Sequence, residues 1–230
     1  MKEEGLSYEE ALFTIYQKLL VNLENEIDLI DNGEENVKVR SIPEDRKRID
    51  LVGIGSGSYQ MFTIEADECF RDCDVILGAK RMLECVKHYK KPMFNEYKGA
   101  GILEFIQNHP EYSKIAIALS GDTGFYSGAK SLLKLKEELQ EYEIKLVPGI
   151  SSLISFAAKI QVSWDNAKLI SLHGREVNYI KIIGENKKTF SLLGNKFTIS
   201  EIAKQLTEHD LGEVRIVLGE NLSYPDELII

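Results

Sequence analysis

The sequence predicts an α/β protein whose main domain is built on a parallel β-sheet. Three short apolar runs each end in a cluster of glycine and serine, and helical stretches alternate with them. The clearest run, residues 115–119, leads into a glycine-rich segment and then into a helix predicted over residues 129–139. Strands and helices that alternate at these lengths are typical of βαβ units. Beyond about residue 162 the pattern becomes richer in strands, which predicts a second, smaller α+β domain.

The predicted elements of the two domains, residues 49–162 and 163–230, follow from apolar periodicity and from turn and capping residues. In the first domain we expect strands at 49–53, 74–78, 115–119 and 144–147, and helices at 60–69, from 79, at 102–108, 129–139 and 152–159. In the second we expect strands at 168–172, 188–193 and 213–219, a helix at 198–208 opened by Thr198 or Ser200, and the start of a strand at 228–230.

The sequence of residues 1–48 predicts a helical extension followed by a polar linker. Ser7 and Glu10 form a capping-box pattern before an amphipathic helix over residues 7–30. Ten acidic side chains and two lysines lie in residues 1–35, so this segment carries eight of the nine net negative charges of the 230-residue chain. The remaining residues are nearly neutral and offer no broad basic field, which disfavours nucleic acid as a partner. We assign no task to the extension.

Composition also disfavours a membrane protein and a metalloprotein. No apolar run approaches the roughly 18 residues that span a bilayer, and we expect a cytoplasmic protein. The three cysteines, Cys69, Cys73 and Cys85, include no CxxC pair, and no cluster of histidine and cysteine accompanies them. We therefore expect no metal site.

The chemistry of the chain points to three glycine-containing loops, each of which follows a predicted parallel strand. They are loop 1 (residues 53–58), loop 2 (residues 120–128) and loop 3 (residues 148–152). Because ligands bind at the carboxyl ends of such strands, we expect the loops to meet along one rim. None of them contains lysine or arginine, which favours an uncharged or zwitterionic ligand over a polyphosphate. Loop 1 also has Ser58 where the dinucleotide fingerprint needs glycine, and this disfavours a nicotinamide-dependent dehydrogenase.

The order and spacing of these motifs resemble the tetrapyrrole (corrin/porphyrin) methylase family over about residues 49–230. The family motifs are VGIGSGS from Val52, LSGDTGFYSG from Leu119 and VPGISS from Val147. Three further stretches, VILGAKR from Val75, SLHGR from Ser171 and GENLSYPD from Gly219, are similar to the branch of the family that methylates carbon C5 of a cobalt-precorrin.

The resemblance implies a two-domain fold that binds S-adenosylmethionine in the cleft between the domains, and methyl transfer to a ring carbon in cobalamin biosynthesis. It implies that this cofactor meets Ser56, Ser120, Gly121, Asp122, Phe125, Ser151, Ser152 and His173. His173 and Asp122 are the two candidates for a catalytic base. Asp122 could instead form an Asx turn or contact the cofactor, and His173 could contribute only its backbone.

Cationic side chains are candidates for binding the carboxylates of a corrinoid substrate. Arg175, Lys80 and Arg81 are the ones we select, although a solvated helix face explains the lysines of residues 80–98 equally well. Two alternatives stay open: methylation of another tetrapyrrole carbon, and a regulatory module that binds the cofactor without turnover. We expect a homodimer and a functional pairing with a separate C15-methylating decarboxylase. The resemblance also implies a further strand after residue 230, so we expect a second domain that lacks its last strand.

Overall fold

The computed structural model describes residues 47–173, 176–194 and 198–230. The extension predicted over residues 1–48 therefore lies, apart from its last two residues, outside the described part of the chain. Within that part, no helix combines the length and the apolar composition that crossing a membrane requires.

Five strands form a parallel sheet, with the strand order β3-β2-β4-β1-β5. Its strands are β1 (Lys47–Gly53), β2 (Val75–Gly78), β3 (Met93–Phe94), β4 (Lys114–Leu119) and β5 (Tyr142–Val147). The α-helices around it are α1 (Ile64–Asp72), α2 (Lys80–Val86), α3 (Gly99–Asn108), α4 (Ala129–Leu133) and α5 (Ser152–Lys159), with short 3-10 helices at Tyr59–Met61 and Lys87–Tyr89. The predicted parallel sheet is confirmed.

Alternation along the central strands explains why helices cover both faces of the sheet. Ile49 and Leu51 of β1 point to the face covered by α3 and α4, whereas Val52 points to the face covered by α1 and α2. Side chains with this period of two lie on opposite faces of a strand, so a central parallel strand needs an apolar partner on each side. The arrangement leaves the carboxyl ends of β4, β1 and β5 side by side.

The remaining elements form two small sheets and two helices. Strands β6 (Lys168–Ser171) and β7 (Thr189–Leu192) pair in parallel, and β8 (Gly219–Glu220) pairs antiparallel with β9 (Leu228–Ile229). Helix α6 (Tyr179–Glu185) connects β6 to β7, and α7 (Ile199–Glu208) follows. Of the two predicted openings of this helix, Thr198 is the N-cap, and it forms a full capping box with Glu201.

Three predicted elements differ from the structure. The strand predicted at 213–219 is wrong except at Gly219. The pairing with residues 228–230 reaches no further than Leu218, and the Val214 N–H donates instead to the Leu211 carbonyl oxygen in a turn. The helix predicted at 129–139 ends at Leu133 and continues as turns, most of whose hydrogen bonds span three residues. The helix predicted at 60–69 is replaced by the 3-10 turn and α1, which Thr63 caps through its side chain.

Candidate functional site

The three loops meet at the carboxyl ends of β4, β1 and β5, as the sequence predicts, and we call this surface the glycine rim. A Cβ atom on Gly53 would lie 2.7 Å from both the Gly121 carbonyl oxygen and the Gly149 nitrogen. A Cβ atom on Gly149 would lie 2.3 Å from the same carbonyl oxygen. Since real Cβ atoms do not approach other atoms so closely, only glycine allows the three backbones to touch here.

Backbone hydrogen bonds join loop 1 to loop 2. The Gly55 N–H donates to the Gly121 carbonyl oxygen at 3.1 Å, and the Gly121 N–H donates to the Gly55 carbonyl oxygen at 2.8 Å. Both residues have positive φ values, 62° and 69°. Apart from Gly121 and its two chain neighbours, no atom of the described residues lies within 4 Å of the position that a Cβ of Gly121 would occupy. The rim therefore has an open backbone cradle on this side.

Asp122 braces loop 2 internally and also ties it to loop 3. Its Oδ1 accepts a hydrogen bond from the Gly124 N–H at 2.8 Å, which is the Asx turn that its position in the loop suggests. Its Oδ2 accepts from the Gly149 N–H at 3.2 Å. Both carboxylate oxygens thus have backbone partners.

Two adjacent serines of loop 3 differ in what their side chains do. Ser151 is buried, and its hydroxyl caps α5 by accepting from the Leu153 N–H at 3.3 Å. Ser152 faces a cavity instead. Phe125 of loop 2 packs edge-on against Tyr126, with ring centroids 4.9 Å apart, and joins the apolar cluster around Leu153.

A cavity of about 780 Å³ opens next to the rim, between α5 and the elements from β6 onward, which we call the second region. One end is polar, and there Arg81 donates to the Ser120 hydroxyl at 3.3 Å. The polar end is formed by Ser56, Arg81, Ser120, Ser152 and Tyr224. Apolar side chains form most of the remaining lining, and we call them the apolar wall; they include Leu153, Phe156, Ile170, Leu172, Phe190, Leu192, Ile202, Leu206, Val214 and Ile216. Polar and cationic residues line the cavity as well, namely Asn186, Lys187, Lys188, Thr189, Ser191, Arg215 and Asn221.

Comparison with known proteins identifies the family. The model of the Tetrapyrrole (Corrin/Porphyrin) Methylases matches residues 48–230. The chain belongs to this family. It is 32% identical over 183 residues to the probable cobalt-precorrin-7 C(5)-methyltransferase of Methanocaldococcus jannaschii. This match covers 78% of this chain and 86% of the relative. It is 26% identical over 181 residues to the cobalt-precorrin-7 C(5)-methyltransferase of Salmonella typhimurium, covering 78% and 87%.

Solved structures show the same tetrapyrrole methylase fold. The precorrin-6Y methylase of Archaeoglobus fulgidus has a TM-score of 0.58 at 24% identity and covers 80% of this chain and 88% of its own. A cobalt-precorrin-4 methyltransferase has a TM-score of 0.63 at 19% identity, covering 80% and 84%. The uroporphyrin-III C-methyltransferase of Thermus thermophilus, complexed with S-adenosylhomocysteine, has a TM-score of 0.62 at 19% identity, covering 80% and 82%.

The remaining site candidates are His173 and the cationic residues Lys80 and Arg175. His173 is exposed on the turn after β6, where its N–H donates to the Ser171 hydroxyl at 3.3 Å. Lys80 is exposed at the start of α2. Arg175 lies outside the described residues. Of the two cationic candidates among the described residues, Arg81 lines the cavity and Lys80 does not. The described residues contain no group of three or more histidine, cysteine, aspartate or glutamate side chains that could hold a metal ion.

Tyr224 contacts loop 1, although our interpretation of the sequence assigns it no task. Its hydroxyl lies 3.5 Å from the Cys85 Sγ and would be 2.2 Å from a Cβ on Gly57. Burial, with a smaller contribution from Cys85, raises the pKa of Tyr224. The only signal in the sequence is the GENLSYPD stretch, which supports the family resemblance but does not reveal the contact.

Proposed function

We propose that this tetrapyrrole methylase transfers the methyl group of S-adenosylmethionine to carbon C5 of a cobalt-precorrin in cobalamin biosynthesis. The observation that carries the proposal is the convergence of the three loops beside a large, mostly apolar cavity. The names of two relatives that each cover 78% of this chain supply the carbon, and the S-adenosylhomocysteine bound by the Thermus enzyme supplies the class of cofactor.

The rim fits an adenosyl amino acid. Its loops offer backbone N–H and carbonyl groups, small hydroxyls and the open cradle beside Gly121, and they contain no lysine or arginine that would select a polyphosphate. We propose that Ser56, Ser120, Gly121 and Ser152 contact the cofactor, and that Phe125 and Ser151 support the loops. His173 stays a proposed contact from the second region.

The mechanism needs positioning more than acid–base catalysis. S-adenosylmethionine supplies an already activated methyl group, so the protein has to align the acceptor carbon with it and exclude water. The apolar wall offers a surface that disfavours water around the acceptor, and Arg81 places a cation beside Ser120, where an acceptor carboxylate can pair with it. Because both Asp122 oxygens accept backbone N–H groups, we propose that Asp122 holds the loops in place.

Methylation of another ring carbon remains the second candidate, because the chain also matches relatives with other names. It is 22% identical over 207 residues to the cobalt-precorrin-4 C(11)-methyltransferase of Methanocaldococcus jannaschii. It is 31% identical over 121 residues to the probable cobalt-factor III C(17)-methyltransferase of Salmonella typhimurium. That second match covers 48% of this chain, which is less than the C(5) relatives cover.

An anaerobic assay tests the function. The purified chain is incubated with cobalt-precorrin-7 and methyl-labelled S-adenosylmethionine, and the product is analysed by mass spectrometry and NMR. We expect one added methyl group, with the label on C5. A label on another carbon would overturn the assignment of C5 as the methylated carbon. Tight cofactor binding without transfer to any cobalt-precorrin would favour the regulatory module instead.

A further inference from the structure

The turn between β8 and β9, residues 221–227, docks on loop 1. The Ser56 hydroxyl donates to the Ser223 hydroxyl at 2.7 Å, and Tyr224 lies against Gly57. These contacts connect the first glycine loop of the chain to a turn more than 160 residues later. The turn therefore covers a loop that we assign to cofactor binding.

The turn has a strained backbone that its own polar contacts maintain. Asn221 and Ser223 have positive φ values of 48° and 69°, and such values are uncommon for serine. The Asn221 amide donates to Asp226 at 2.7 Å, and Glu227 accepts from the Ser223 N–H. Lys159 of α5 donates to the other oxygen of Glu227 at 2.8 Å. Strain that the surroundings maintain in this way is a reason to look for a function.

Loop 1 needs support from outside because its glycines allow many conformations. Gly55 has a φ of 62° and Gly57 a φ of 105°, and glycine loses more backbone entropy on ordering than any other residue. A contact that orders such a loop before the ligand arrives lowers the entropic cost of binding. The Tyr224 ring occupies the space beside Gly57 and restricts the loop there.

We propose that residues 221–227 are a clamp that holds loop 1 in the conformation that receives the methyl donor, and that Tyr224 is the positioning residue of this clamp. The proposal rests on the proposed function, since it assigns loop 1 to the donor. The clamp contacts loop 1 at Gly57, through the Tyr224 ring, and at Ser56, through the Ser223 hydroxyl. Glu227 contributes by accepting the hydrogen bond of the Ser223 N–H.

Calorimetry with S-adenosylhomocysteine tests the clamp in the full chain. We expect Tyr224→Ala to weaken binding about tenfold, the effect of about 1.4 kcal/mol, and Glu227→Gln to weaken it about threefold. Because both changes release the same turn, the double variant should bind more tightly than the product of the two effects predicts. Tyr97→Ala is the matched control, because Tyr97 is 56% exposed and lies outside the cavity lining.

Hydrogen exchange of the ligand-free protein provides a second readout. The clamp predicts faster exchange of the Gly55 and Gly57 amides in Tyr224→Ala, with β4 amides unchanged. Tyr224→Phe keeps the ring beside Gly57 and should restore both binding and protection to within about threefold of the wild type.

The outcomes separate the clamp from the proposed function. Folded Tyr224→Ala protein with wild-type affinity and wild-type exchange in loop 1 would overturn the clamp. Loss of protection throughout the sheet would also overturn it, because Tyr224 would then act on the whole fold. If the wild type does not bind S-adenosylhomocysteine, the proposed function fails, and exchange at loop 1 still decides whether the clamp exists.

Discussion

The glycine rim and the apolar wall border the same cavity, but they are built differently. In the rim, the backbones of Gly53, Gly121 and Gly149 touch one another, and there is no room for a side chain between them. In the wall, buried side chains such as Ile170 and Phe190 fill ordinary positions on strands and helices. The rim therefore depends on backbone geometry, whereas the wall depends on side-chain volume.

This difference predicts separate responses to substitution. A change of one atom in the rim displaces a backbone, and backbones cannot repack as side chains do. A change in the wall alters the size of a cavity, and neighbouring side chains can partly relax. We expect substitutions at the touching glycines of the rim to weaken cofactor binding strongly, and wall substitutions to lower stability while leaving cofactor affinity almost unchanged.

Gly149→Ala should have the largest effect. Its Cβ would lie 2.3 Å from the Gly121 carbonyl oxygen and 2.6 Å from Gly53 backbone atoms, so loops 1, 2 and 3 must all shift. We expect the free energy of unfolding to fall by about 3 kcal/mol, the upper end for overpacking. Affinity for S-adenosylhomocysteine should fall more than about tenfold. Urea denaturation and calorimetry measure the two effects.

Gly128→Ala is the matched control for this change. Gly128 ends loop 2 with a φ of −64°, and the nearest atom that its Cβ would meet among the described residues, chain neighbours aside, is a Leu119 methyl carbon at 3.7 Å. Its free energy of unfolding should stay within about 0.5 kcal/mol of the wild type. Equal damage from both substitutions would show that the crowding at Gly149 is not the cause.

Ile170→Ala probes the apolar wall. Ile170 is 4% exposed and borders the cavity, so removing its side chain enlarges a space that already exists. We expect a loss of about 2 kcal/mol of unfolding free energy, at the low end for such truncations. Affinity for S-adenosylhomocysteine should stay within about twofold. A fall in affinity comparable to that of Gly149→Ala would contradict the separation of rim and wall.

Asp122→Asn should have a smaller effect on the rim. An amide has one carbonyl oxygen, so it can keep the bond to Gly124 or the bond to Gly149, but its NH₂ group cannot accept the other. We expect a loss of about 1 kcal/mol of stability, measured by urea denaturation with Asp165→Asn, at an exposed position, as the control. The rate of methyl transfer should fall by no more than the affinity for the cofactor falls. Complete loss of transfer with intact binding would instead identify Asp122 as a base.

Much of the fold could be predicted from local sequence, because local physics determines it. The alternation in β1 and the N-cap at Thr198, one of the two that we predict, each depend on residues a few positions apart. The meeting of the three loops also follows from sequence, since adjacent parallel strands bring their carboxyl ends together. The strand predicted at 213–219 is wrong because a strand needs a partner, and apolar alternation does not reveal how far the partner reaches.

The candidate site was less predictable, since its contacts join distant segments. Ser56 and Ser223 are 167 positions apart, and nothing local to either residue indicates their hydrogen bond. Ser151 and Ser152 are the same residue type in the same motif, yet one caps α5 and the other faces the cavity. Arg81 and Lys80 differ in the same way, because the rotation of α2 decides which of them reaches Ser120.

The smallest expected effect concerns the charge that holds the turn of residues 221–227 to α5. Hydrogen bonds from Lys159 and from the Ser223 N–H hold the pKa of Glu227 below 4.5, its ordinary value. A carboxylate with a lowered pKa stabilises the fold above its ordinary pKa, and this contribution is lost as the pH falls through the folded value. In Lys159→Met the titration midpoint of Glu227, followed by NMR, should rise towards 4.5, whereas Lys159→Arg should keep it low. An unchanged midpoint in Lys159→Met would mean that Lys159 does not hold the turn, and that Glu227 is stabilised by the Ser223 N–H alone.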